Sequence, residues 1–74
     1  MRVINLDETG IKIIASNKKQ LYLSLEDIKA FLAKKFTLNE NLLTIGDKSL
    51  QLSKNDFEEF ETTYDYIEKI FNKD

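Results

Sequence analysis

The sequence predicts an α+β domain, a small antiparallel sheet with two helices on one face, and three observations predict it. One pattern, Leu-x-Leu-Ser-x-x-Asp-apolar-x-x-Phe, occurs twice, at Leu21–Phe31 and at Leu50–Phe60. Short strand-like runs lie ahead of each copy, Ile11 to Ala15 β-branched and alternating, Leu42 to Ile45 the first arm of a hairpin. After each copy, apolar residues recur at steps of three and four, the spacing of one helix face. The expected order is βββα-ββα, with an internal strand-strand-helix repeat spanning about 11–36 and 42–72 of a single domain, 1–74.

Val3 to Leu6 reads as a first strand, and Asp7-Glu8-Thr9-Gly10 as a turn in which Gly10 can supply a positive φ. Ile11 to Ala15 is a second, β-branched strand. The turn Ser16–Lys19 leads to a third strand, Gln20 to Leu23. Ser24 then sits where a side-chain oxygen caps a helix, and Asp27 falls three residues on, near the positive end of the helix dipole. That helix is expected from about Leu25 to Lys35, burying Ile28, Phe31, Leu32 and Phe36. Residues 37–41 connect to the second unit.

Leu42 to Ile45, a turn at Gly46-Asp47-Lys48, and Ser49 to Leu52 read as a hairpin. Ser53 and Asp56 repeat the cap, and the second helix is expected from about Lys54 to Asn72. Phe57, Phe60, Tyr64, Ile67 and Phe71 make its core stripe, with Tyr66 and Ile70 off centre. With no proline in the chain, neither helix has an internal breaker.

Composition narrows the function. The chain has no histidine and no cysteine, which removes the usual general base, the thiol nucleophile and the common transition-metal ligands. Both glycines fall in expected turns, so no phosphate-cradling loop is present. No enzyme and no cofactor are expected. No apolar run is long enough to cross a bilayer or serve as a signal, so the expected location is the cytoplasm. So short a chain buries only about 60% of its unfolded surface, and its sheet is expected to leave one half-apolar face open. Self-association, as a homodimer, is therefore expected.

Charge is unevenly placed: residues 1–37 carry +3 and residues 38–74 carry −5. Lys18, Lys19, Lys34 and Lys35 offer a small basic patch, the basis of an alternative reading as a dimeric nucleic-acid-binding regulator. The acidic balance argues against it, and direct nucleic-acid binding is not the leading expectation. A purely structural, assembly role is a further alternative. Glu58, Glu61, Asp65 and Glu68 follow one another at steps of three, four and three, forming one acidic stripe. Like charges at such spacing cost about 0.2–0.5 kcal/mol per pair in an isolated helix. A row of carboxylates held against that repulsion suits a basic partner surface; an ordinary solvated helix face has the same appearance.

Gln20-Leu21-Tyr22-Leu23-Ser24-Leu25 resembles the clamp-binding peptide of bacterial replication proteins, Gln-Leu-x-Leu-Phe and its longer variant. The resemblance implies Gln20 as polar anchor, Leu21 and Leu23 as apolar anchors, and Leu25 in place of the final aromatic. Ser24 departs from the short form. The chain as a whole resembles the small phage-encoded inhibitors of the bacterial DNA sliding clamp, in size, composition, the Gln-Leu motif and the acidic helix. That resemblance implies a non-enzymatic inhibitor that occupies the clamp's peptide groove or its basic DNA channel. Against the peptide mode, Leu-x-Leu recurs as Leu50-Gln51-Leu52 without a preceding Gln, so the leucines are best explained by strand packing against the core, where they could not also fill a partner's pocket.

Overall fold

The computed structural model describes residues 1–71, with the side chain of Glu8 left aside; Asn72, the expected end of the second helix, lies outside the described residues. The order is β1 (Arg2–Asn5), a 3-10 turn (Asp7–Thr9), β2 (Ile11–Ile14), β3 (Gln20–Leu23), α1 (Leu25–Leu32), β4 (Thr37–Asn39), β5 (Leu42–Ile45), β6 (Lys48–Gln51) and α2 (Lys54–Phe71). The α+β architecture is as expected from sequence. The connector after α1 contributes one more strand, β4, which makes the second unit a full counterpart of the first.

The six strands form two antiparallel three-stranded sheets, β1-β2-β3 and β4-β5-β6. Ile11 pairs with Leu23 and Ile13 with Leu21 in the first; Leu43 pairs with Leu50 in the second. These partners all point inward. The sheets meet along β3 and β6 without a backbone ladder, and side chains seal the seam. Lys48 Nζ donates to the Tyr22 carbonyl at 3.1 Å, and the Asn17 amide donates to the Gln51 carbonyl at 3.2 Å. Those two anchor points show β3 and β6 running in opposite directions.

The core is one cluster, with Ile11, Ile13, Leu21, Leu23, Leu43, Ile45 and Leu50 from the strands and Ile28, Phe31 and Ile67 from the helices. Both helices start on the doubled cap. In α1, Asp27 N–H donates to Ser24 Oγ at 3.3 Å while Ser24 N–H donates to Asp27 Oδ2 at 3.1 Å. In α2, Asp56 and Ser53 make the same exchange at 3.2 and 3.1 Å. Each pair satisfies amide groups that a helix start leaves orphaned.

The sequence places the end of α1 at Lys35, whereas the helix closes at Leu32. Lys34 takes a left-handed φ of 61°. Lys35 N–H then donates to the Ala30 carbonyl at 2.8 Å and Lys34 N–H to the Phe31 carbonyl at 3.0 Å. This is the Schellman closure, here with lysine where glycine is usual. Phe36 consequently leaves the helix and packs from the loop, its ring 5.1 Å from that of Phe31.

Gly10 has a φ of 137°, and a Cβ there would stand 2.0 Å from the Leu23 carbonyl oxygen. Only a bare backbone lets the first turn cross β3 so closely.

Candidate functional site

Leu21 and Leu23, expected as apolar anchors for a partner, are 5% and 0% exposed and belong to the core. The period-two geometry of β3 explains the correction: alternate side chains face one way, and here the inward way carries both leucines. Gln20 is exposed, as are Tyr22 and Leu25. Tyr22 is held by its hydroxyl, which donates to the Thr9 carbonyl at 2.6 Å. The motif therefore offers one polar side chain without its apolar companions.

Phe57, expected in the α2 core stripe, is 46% exposed, while the neighbouring Asp56 is fully buried. One residue is a 100° rotation on a helix. In the second unit the carboxylate takes the inward direction and the next residue is turned out. In the first unit Ile28 is buried and Asp27 only partly so.

What turns α2 is visible around Asp56. Its carboxylate accepts from the Ser16 N–H at 3.0 Å, the Ser16 hydroxyl at 2.9 Å and the Ser53 hydroxyl at 2.9 Å. The Met1 ammonium lies 3.1 Å away and also donates to Glu59 at 2.9 Å. Burial alone would raise the Asp56 carboxyl, but the Ser16 and Ser53 amides and the ammonium outweigh it and hold it well below the ordinary carboxylate range. The Met1 ammonium is raised, chiefly by its hydrogen bond to Glu59, against desolvation. Asp27 is lowered, chiefly by Lys48 Nζ, which pairs with it directly. Among the described residues no buried polar side-chain atom is left without a partner, so these clusters read as architecture.

The stripe itself lies as its spacing requires. Glu58, Glu61 and Asp65 are exposed, and Glu68 is half-buried. Among the described residues, none of the four makes an ion pair. Three of them, Glu61, Asp65 and Glu68, form one wall of an open groove of 430 Å³. Phe36, Phe60 and Tyr64 make its aromatic floor, and Lys34 reaches in from the end of α1. The floor is rigid. Phe36 and Phe60 meet nearly edge-on at 5.4 Å, both pack on Phe31, and the Tyr64 hydroxyl donates to the Leu32 carbonyl at 2.8 Å. Lys34 Nζ stands 5.6 Å from the centre of the Tyr64 ring, a cation–π distance.

The four lysines of the basic-patch reading are not brought into one groove. Lys34 and Lys35 border a second, shallower hollow with Phe36, Thr37 and Thr44, while Lys18 and Lys19 border neither. Lys34, moreover, faces carboxylates. The groove was beyond sequence reasoning because Phe36 and Lys34 reach it only after α1 closes early; the lysine-for-glycine closure is the one signal that no residue pattern announces. Among the described residues no helix is long and apolar enough to cross a membrane, and no grouping of acidic residues is suited to a metal ion. Comparison with protein-family models, curated proteins and solved structures gives no match.

Proposed function

We propose that this is a non-enzymatic binding protein that presents the acidic face of α2 to a basic, DNA-binding surface of a protein partner. The observation that carries the reading is the row Glu58, Glu61, Asp65 and Glu68, none of which makes an ion pair among the described residues. The row covers ten helical steps, about 15 Å of helix axis at ~1.5 Å per residue. Its charges thus follow at about 5 Å, against one per ~3.4 Å along a single DNA strand. A rigid helix with about two-thirds of that charge density is a fair electrostatic substitute for a short stretch of phosphate backbone.

The partner best matched by the sequence resemblance is the bacterial sliding clamp, whose DNA channel is basic. Because Leu21 and Leu23 are core residues, the proposed mode is occupation of that channel rather than of the peptide groove. Inhibition would follow from excluding DNA. The proposal is tested by capture from bacterial lysate and by calorimetry with purified clamp at several salt concentrations. Affinity should fall steeply with salt, and Glu58→Lys, Glu61→Lys, Asp65→Lys and Glu68→Lys together should abolish it. A clamp that is not captured, or one bound equally by the reversed protein, rules the reading out.

A further inference from the structure

We propose that the groove between α2 and the end of α1 is a receptor for one basic side chain of a partner, arginine foremost, and that Lys34 is its resident occupant. This rests on the proposed protein-binding role and names the contact at its centre.

The groove, about 430 Å³ and open to solvent, has room for a long side chain. Its lining sets the chemistry. Glu61, Asp65 and Glu68 supply three negative charges against the single positive charge of Lys34, so the wall remains two charges short of neutral. Phe60 and Tyr64 supply ring faces on which a flat guanidinium stacks, while the carboxylates take its N–H fork in pairs.

Lys34 shows that a cation is accepted there. Its Nζ lies over Tyr64 yet makes no ion pair with any of the three carboxylates. The ammonium is therefore held by the ring and by the general field, and it is exchangeable. An arriving guanidinium that both stacks and pairs outcompetes it, leaving Lys34 free to swing to solvent. Tyr64, locked by its bond to Leu32, does not have to move.

The test uses N-acetyl-arginine amide as probe, with the uncharged citrulline analogue as control, titrated into the full chain while backbone amide NMR shifts are followed. Saturable shifts should centre on Lys34, Phe36, Phe60, Tyr64 and Asp65, with a millimolar Kd, and citrulline should produce none. K34M, which keeps the aliphatic stem but removes the competing charge, should tighten binding about 3- to 10-fold. Glu61→Gln with Glu68→Gln should weaken it by a similar factor. Shifts that do not saturate, an equal response to citrulline, or a K34M protein of unchanged affinity each overturn the proposal. The probe needs no partner protein. Lys34-dependent arginine binding without clamp capture leaves the receptor standing and removes the clamp; clamp binding indifferent to K34M does the reverse.

Discussion

Asp27→Ala and Asp56→Ala delete the same residue from the same motif, yet they should differ severalfold in cost. Each removes the carboxylate half of a capping box, the acceptor of the Ser24 or Ser53 amide, worth about 1 kcal/mol. At Asp27 the remaining loss is a partly exposed pair with Lys48, worth at most about 1 kcal/mol, for a total of about 1–2. At Asp56 the Ser16 amide is left without its acceptor inside the protein, at about 1–3 kcal/mol, and the Met1 ammonium keeps only Glu59, at about 1 kcal/mol more. The sum is about 3–5 kcal/mol. A 74-residue domain has about 4–11 kcal/mol in all, so Asp56→Ala should be at the edge of folding. Urea unfolding followed by far-UV circular dichroism at pH 7 measures both. A cost for Asp56→Ala no greater than for Asp27→Ala would refute the reasoning, which rests on the burial of Asp56 and the partners it leaves behind.

The same carboxylate fixes the acid limb of stability. Its pKa is lower folded than unfolded, so its contribution is present above the unfolded value near 4 and is lost as pH falls toward the folded one. Asp56→Asn should flatten that limb. The Met1 ammonium has the opposite sign: its pKa is raised, so its contribution is complete below about 8 and fades as pH climbs through the folded value.

Other expectations are simpler. Lys34→Gly should raise stability by about 1 kcal/mol in thermal melts, because a left-handed residue is relieved, while removing the resident cation from the groove. Gly10→Ala should cost more than about 2 kcal/mol, since its methyl group meets the Leu23 carbonyl and φ remains unfavourable. Leu23→Ala should cost about 2–5 kcal/mol, whereas Gln20→Ala should stay within about 0.5 kcal/mol; equal losses would mean that β3 is not arranged as described.

Much of the fold is legible in the sequence because its signals are local. The doubled Ser-x-x-Asp places both helix starts to the residue, and alternation places β2, β3 and β5. Strand β4 escapes because it has three residues, Thr37-Leu38-Asn39, and because its turn, Glu40-Asn41, reaches positive φ at both positions without glycine. The acidic stripe is legible from spacing alone. The exposure of Phe57 is not. Periodicity puts it on one face with Phe60, Tyr64 and Ile67, but at the edge of that face, and a polar network around Asp56 draws the opposite edge inward. The groove depends on Phe36 meeting α2 across a long sequence separation, which no window of sequence contains.

The cap carboxylates have a consequence for how the chain folds. Asp27 is pinned by Lys48 from the other unit, and Asp56 by Ser16 from the other unit. Each half thus completes the helix start of its twin. A stacked repeat can add units one at a time, because neighbours share only an interface. Here the exchange is mutual, so half a chain would leave a capping carboxylate without its distant donor and β3 without β6. The two units are a duplicated pattern and a single cooperative structure, bound to appear and to melt together.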